Sequence, residues 1–246
     1  MSKSNEEYKK TYLEKILPHV QTPGQYVGAE HNMVKKDWKE TDVRFALAFP
    51  DTYAVGMSNL GLQILYDIIN SRNDALAERF FTPWTDLEQQ LREAEVPMLS
   101  LESFTPMSEF DIAGFSIHTE VSCSNVLTML DLSGIPFRAA DRTDDHPIIC
   151  AGGHNTNYEP VADFFDFIFL GEGEEALEEI IDAVKETKGS SREEKLNLLE
   201  QIEGVYIPSR FEVSYLDDGT IEKITPTGAK KKVTRRIVAD LDSAPF

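Results

Sequence analysis

The sequence predicts an α/β protein built on an open, doubly wound, mostly parallel sheet of about six strands, with an N-terminal arm and a C-terminal β-hairpin. Three observations predict it. Between Val43 and Lys188, short apolar runs alternate with longer segments of helical period. The runs are nearly continuous in apolar residues, as strands covered on both faces must be. After about residue 200 the pattern changes to short β-type runs around an Asp-Gly pair, the signal of a tight antiparallel turn.

In chain order, residues 1–37 form the arm, where Tyr8, Tyr12, Leu13, Ile16 and Leu17 recur at helical spacing and predict a short amphipathic helix over Asn5–Leu17. Pro18 and Thr22-Pro23-Gly24 end it. Residues 38–190 form the α/β domain. Its strands are expected at Val43–Phe49, Glu78–Thr82, Val96–Leu101, Asp111–Ile117, Pro147–Ala151 and Phe165–Leu170. Helices are expected at Ser58–Ser71, Thr85–Glu95, Glu120–Ser133 and Glu174–Lys188. The strand order 3-2-1-4-5-6 is expected, with a ligand crevice between the first and fourth runs. Residues 200–236 form a hairpin appendage, with strands at Val205–Pro208, Arg210–Leu216 and Ile221–Thr225. Within it, Lys230-Lys231-Lys232 and Arg235-Arg236 make a basic patch, read either as a solvated linker or as a docking surface. Residues 237–246 read as a linker within a longer polypeptide.

Composition narrows the function. A chain of 246 residues, 41% hydrophobic and 27% charged, suits a soluble globular protein of one or two domains. Its net charge of −19 repels phosphate backbones, so nucleic acid is not an expected partner. No apolar run approaches the roughly 20 residues that span a bilayer, so no membrane role is expected. The first twenty residues carry charges throughout and lack a signal peptide's apolar stretch; a cytoplasmic protein is expected. Cys123 and Cys150 are too few for a disulfide framework or, alone, a structural zinc site.

The loops after strands carry the candidate chemistry. The first holds Asp51, Tyr53, Gly56, Ser58 and Asn59; Ser58 or Asn59 can cap the next helix, whose free N–H groups suit an anion or a polar ligand tail. Neither G-x-G-x-x-G nor a P-loop is present, which disfavours nucleotide enzymes of those types. The second holds Ser116 and His118, and the third Gly152, Gly153, His154 and Thr156. The paired glycines either admit another surface close to the backbone or make a tight turn. After the last strand, Gly171-Glu172-Gly173-Glu174 either complements a helix dipole or holds the edge of a neighbouring domain. His118 and His154, with Glu120 and Cys123, are polar pocket walls or, alternatively, metal ligands. Cys150 reads as an inert core residue, Cys123 as a half-buried small side chain or a thiol of lowered pKa, and Trp84 as core or a pocket flank.

Together Asp51-x-Tyr53-x-x-Gly56, Gly114-Phe115-Ser116, Gly152-Gly153-His154-x-Thr156 and Gly171-Glu172-Gly173-Glu174 resemble the cobalamin-binding-type domain that precedes the catalytic barrel in many radical S-adenosylmethionine (SAM) enzymes. The likeness is closest to the N-terminal half of one radical SAM subfamily of unassigned reaction, and it covers nearly everything after Gln21. Its flanks match as well: Pro23-Gly24-Gln25-Tyr26, Glu30-His31-Asn32 and Gly56-Met57-Ser58-Asn59-Leu60-Gly61. The resemblance implies a flavodoxin-like fold and a small-molecule cofactor, cobalamin, held by Asp51, Tyr53, Gly56, Ser58, Asn59, Ser116, His118, Gly152, Gly153, His154 and Thr156. It implies that the partner is a C-terminal barrel of the same polypeptide, which carries the four-iron four-sulfur cluster and SAM.

Two departures from that pattern matter. The motif normally reads D-x-H-x-x-G, with the histidine ligating cobalt; here the position is Tyr53, and a phenol with an unperturbed pKa of about 10 is a poor cobalt ligand at neutral pH. The C-x-x-x-C-x-x-C motif for the cluster is absent, so no catalytic residue and no resident metal are expected in this stretch. The expected function is an accessory cofactor- or substrate-binding domain of a radical SAM enzyme. The alternatives are a vestigial docking module that binds no ligand and a metal-dependent hydrolase using His118 and His154.

Overall fold

The computed structural model describes residues 4–153 and 157–240. The arm begins with α1 (Asn5–Thr11), where Ser4 and Glu7 form a capping box that satisfies two of the orphan N-terminal donors. The helix winds on through a π turn, Tyr12–Ile16, and a 3₁₀ turn, Leu17–His19, so Pro18 sits within the last turn and the helical path runs two residues past the expected end at Leu17. The sheet domain then runs β1 (Val43–Phe49), α2 (Tyr53–Met57), α3 (Leu60–Ser71), β2 (Ala75–Phe81), α4 (Thr85–Ala94), β3 (Ile112–Ser116), α5 (Cys123–Leu132), β4 (Ile148–Gly152), β5 (Phe167–Phe169) and α6 (Gly173–Glu186). It closes with α7 (Arg192–Leu199) and β6 (Val205–Tyr206), and β7 (Phe211–Tyr215) with β8 (Ile221–Pro226) forms a separate two-stranded sheet.

The six-stranded sheet has the order β2-β1-β3-β4-β5-β6, parallel except for β6. Its strands are buried on both faces, which is why their sequences read as continuous apolar runs. One face packs against the arm, α4 and α5 around Phe80, Phe115 and Met129; the other packs against α3, α6 and α7 around Phe45, Leu62 and Ile181. Helices on both faces make the sheet doubly wound, as the sequence predicts.

One strand is corrected. Val96–Leu101 joins no sheet, because its polar groups are taken locally: Met98 N–H donates to Leu132 O, and Ser100 N–H to Thr105 O across a turn containing Phe104 at φ 62°. The turn still covers the open side of β2, since Leu101 N–H donates to Arg79 O and the Glu102 carboxylate accepts from Arg79 N–H. The opposite edge is taken by β6, antiparallel to β5, so the order 3-2-1-4-5-6 loses its first member and gains Val205–Tyr206 at the far end.

Candidate functional site

The parallel strands end at one edge, and a cavity of about 380 Å³ opens there between the sheet and the helices α3 and α6. Phe45, Leu47, Cys150, Phe167 and Phe169 floor it, and Leu65, Leu177 and Ile180 face them from the helices. Glycines keep the space open. Gly61 and Gly173 leave the helices without a side chain at their first turns, and a Cβ on Gly152 would meet nothing closer than 3.8 Å. Gly114 is needed for another reason: a Cβ there would lie 2.7 Å from the Phe45 ring.

The polar groups gather at the mouth. Ser116 Oγ lies 3.3 Å and Asn59 Nδ2 3.4 Å from His118 Nε2, so the imidazole is fixed between β3 and the start of α3. The ring rests against Phe49 with centroids 5.4 Å apart. Opposite it, Glu172 and Glu174 line the cavity, and Glu174 Oε2 is buried without a hydrogen-bond partner. No lysine or arginine is among the described residues that line the cavity. The site therefore offers an apolar body with acceptors at its rim, suited to a neutral, hydrogen-bond-donating ligand.

The expected site residues divide. Ser116, His118, Gly152 and Gly153 line the cavity, and Asn59 reaches it through His118. Gly153 stands at φ 141°, where a Cβ would lie 1.9 Å from Ile117 O, so the glycine is required by the close approach of β3's end. Asp51, Tyr53, Gly56 and Ser58 are not among the lining residues. The Asp51 carboxylate accepts from Thr52 N–H at 2.7 Å, Ser58 Oγ donates to Ala54 O, and Asn59 caps α3 by accepting from Leu62 N–H. Gly56 packs under Phe81, whose ring would be 2.3 Å from a Cβ. Tyr53 is turned away: its hydroxyl donates to Glu30 Oε1 at 2.9 Å and its ring meets Phe81 edge-on. Burial and the neighbouring Glu30 carboxylate push the phenol's pKa above its ordinary value, further from the ionised form a metal ligand needs. His154 and Thr156 lie outside the described residues.

Trp84 is 53% exposed and does not line the cavity. Cys150 is buried in the core, as expected, and also walls the cavity; burial pushes its thiol well above the ordinary range. Cys123 is also raised, by burial and then Glu120, the opposite of the lowering that a helix start can confer. Among the described residues no three His, Cys, Asp or Glu side chains converge to hold a metal ion. Sequence reasoning missed the helix-side wall, although Gly61 and Gly173, glycines in the first turns of helices, were the signal for it.

Residues 61–208 match the family model described as radical SAM proteins, N-terminal. No curated protein matches the chain. Among solved structures, that of the radical S-adenosylmethionine methyltransferase TsrM from Kitasatospora setae, with tryptophan substrate and a SAM analog bound, is similar over 76% of this chain, at 12% identity and a TM-score of 0.40. This chain spans 30% of the length of that one.

Proposed function

Because the chain belongs to the family of radical SAM N-terminal regions, we propose that it is the ligand-binding accessory domain of a radical SAM enzyme and that its cavity takes cobalamin. The observation that carries this reading is the glycine-lined cavity at the carboxyl edge, with a buried Glu174 oxygen that has no hydrogen-bond partner of its own. Cobalamin's periphery is ringed with carboxamides, which supply such donors, while Gly152, where a Cβ would meet nothing closer than 3.8 Å, leaves the backbone open to a large flat group. Ser116, His118 and Glu174 would hold it. When bound, cobalamin supplies alkyl-group transfer chemistry. Tyr53 contributes no ligand, because its hydroxyl is committed to Glu30, so the protein's part is to bind and orient the cofactor and to shield it from water.

The catalyst lies elsewhere in the polypeptide. Two cysteines cannot supply the three thiolates that leave one iron of a four-iron four-sulfur cluster for SAM. The partner is the barrel that follows. The face it would cover carries exposed Val55 and Leu60 beside the first loop, Trp84 after β2 and Val121 after β3.

Titration of the purified chain with hydroxocobalamin and methylcobalamin, followed by visible spectra and calorimetry, tests the reading. Saturable binding at micromolar affinity or tighter is expected, and Gly152→Trp, whose side chain fills the cavity, should abolish it without unfolding the protein. A well-folded chain that binds neither compound rejects cobalamin, and the cavity is then either a substrate pocket or a vestige in a docking module.

A further inference from the structure

We propose that one face of the β7–β8 hairpin is the contact between two copies of this chain, docked antiparallel so that the tip of each hairpin lies on the root of the other. The ladder sorts the hairpin's residues by face, because residues opposite one another point the same way. Phe211 pairs with Pro226, Val213 with Ile224 and Tyr215 with Ile221, which puts all six on one face. The other face carries Glu212 with Thr225 and Ser214 with Lys223. The root of the apolar face is held by the domain, where Phe211 packs on Tyr206 with ring centroids 5.0 Å apart. Toward the tip the face is bare: Tyr215, Ile221 and Ile224 are 62%, 53% and 42% exposed. A two-stranded ribbon is marginal in water by itself, so covering such a face stabilises it.

Charge identifies what covers it. The tip is acidic, with exposed Asp217 beside Asp218 in the turn. The chain leaving β8 stays at the root, where Thr227 N–H donates to Arg210 O at 2.7 Å and Lys230 Nζ donates to Ile202 O at 2.6 Å. These bonds set the exposed Lys231 and Lys232 at the root end. One hairpin therefore runs from an acidic tip, through an apolar face, to a basic root. Such a surface is its own complement under a two-fold rotation that reverses its direction. Laid antiparallel, Val213 and Ile224 sit near the axis and Asp217 of each copy faces Lys231 and Lys232 of the other. Laid parallel, acid would meet acid. In a chain of net charge −19, whose surfaces otherwise repel one another, the antiparallel contact is the one that pairs acids with bases.

Sedimentation velocity of the purified chain over about a hundredfold range of concentration tests the proposal. A reversible monomer–dimer equilibrium is expected. Tyr215→Thr with Ile221→Thr keeps strand-forming residues at two exposed positions and should raise the dimer's dissociation constant by about tenfold or more. An unchanged circular dichroism spectrum and urea midpoint at monomeric concentration separate a lost contact from a lost fold. A charge exchange tests the direction and leaves the apolar face intact. Asp217→Lys, and the pair Lys231→Glu with Lys232→Glu, should each weaken the dimer by about threefold. A mixture of those two variants should then associate more tightly than either does alone, because each tip meets a root of opposite charge. A chain that stays monomeric throughout the range overturns the proposal and leaves the face to a different partner. A dimer as tight in the threonine variant as in the parent overturns it too. A mixture no tighter than its components rejects the tip-to-root arrangement and the proposal with it.

Discussion

Glu78 is a carboxylate in the middle of a buried strand, 3% exposed, with Ser103 Oγ donating to it at 2.6 Å. Burial raises its pKa above the ordinary 4.5, and the hydroxyl contacts only partly offset that. The folded protein thus binds a proton more tightly here than the unfolded chain does. Stability from this residue is greatest below pH 4.5 and falls as the pH rises from there through the folded-state value. Glu78→Gln keeps an acceptor for Ser103 and removes the charge. It is expected to flatten that part of the pH profile and to leave the protein more stable at pH 7. Urea unfolding at a series of pH values checks it; a variant that is clearly less stable at pH 7 would mean that the carboxylate is a favourable part of the strand. Tyr53 teaches a related lesson about reading residues. Its place in the motif was legible, but its hydroxyl goes to Glu30, a residue 23 positions away in the arm, and no local pattern announces such a pairing.

At the scale of elements, legibility follows how much of an element's signal is local. The runs Val43–Phe49 and Asp111–Ile117 were readable because both faces of those strands are buried, and α3 and α4 because their apolar residues fall on one side. Val96–Leu101 has the same composition yet is no strand, because Ser100 and Thr105 offer its backbone nearer partners. Helix α7 went unseen because only Leu196 and Leu199 are buried, although its capping box, Ser191 with Glu194, was there to be read. What holds α7 in place is a charge cluster no periodicity shows. Asp166, at the start of β5, accepts from Arg142, Arg192 and Ile149 N–H. The remaining N–H groups of the two arginines go to backbone carbonyls, from Pro136, Phe137 and Phe164 for Arg142 and from Thr143, His146 and Pro147 for Arg192. One carboxylate thereby fixes the approaches to β4 and β5 and the first turn of α7. Asp166→Ala would leave two guanidinium groups without their counter-charge and should cost about 3–5 kcal/mol. Asp166→Asn should cost less because it keeps a carbonyl acceptor, an order that denaturant midpoints of the two variants would test.

For the whole molecule, the question is whether the arm is a separate piece or part of the fold. Tyr12, Ile16, Leu17, Val20 and Tyr26 are buried in the same core as Phe80, Phe115 and Met129. Lys36 Nζ donates to the carbonyls of Asn70, Arg72 and Ala75, tying the arm's far end across the turn between α3 and β2. The arm also braces the site loop through Glu30 and Tyr53, and Gly28, at φ 62°, packs onto Leu101 O at the covered sheet edge. So much shared core leaves no plane along which the arm could melt alone, and unfolding should be a single transition. The chain's two tryptophans make this measurable. Trp38 precedes β1, stacked edge-on against Phe110 with Arg44 over its ring, and Trp84 stands in solvent after β2. In Trp38→Phe and Trp84→Phe variants each remaining fluorophore should report the same urea midpoint, once the small stability change of each substitution is corrected by circular dichroism. Tyr12→Ala should lower both midpoints together, by the equivalent of about 3–5 kcal/mol for an aromatic side chain lost from the core. A Trp38 signal that moves at lower urea than the Trp84 signal would show that the segment leading into β1 loosens before the rest of the sheet domain, against a single transition.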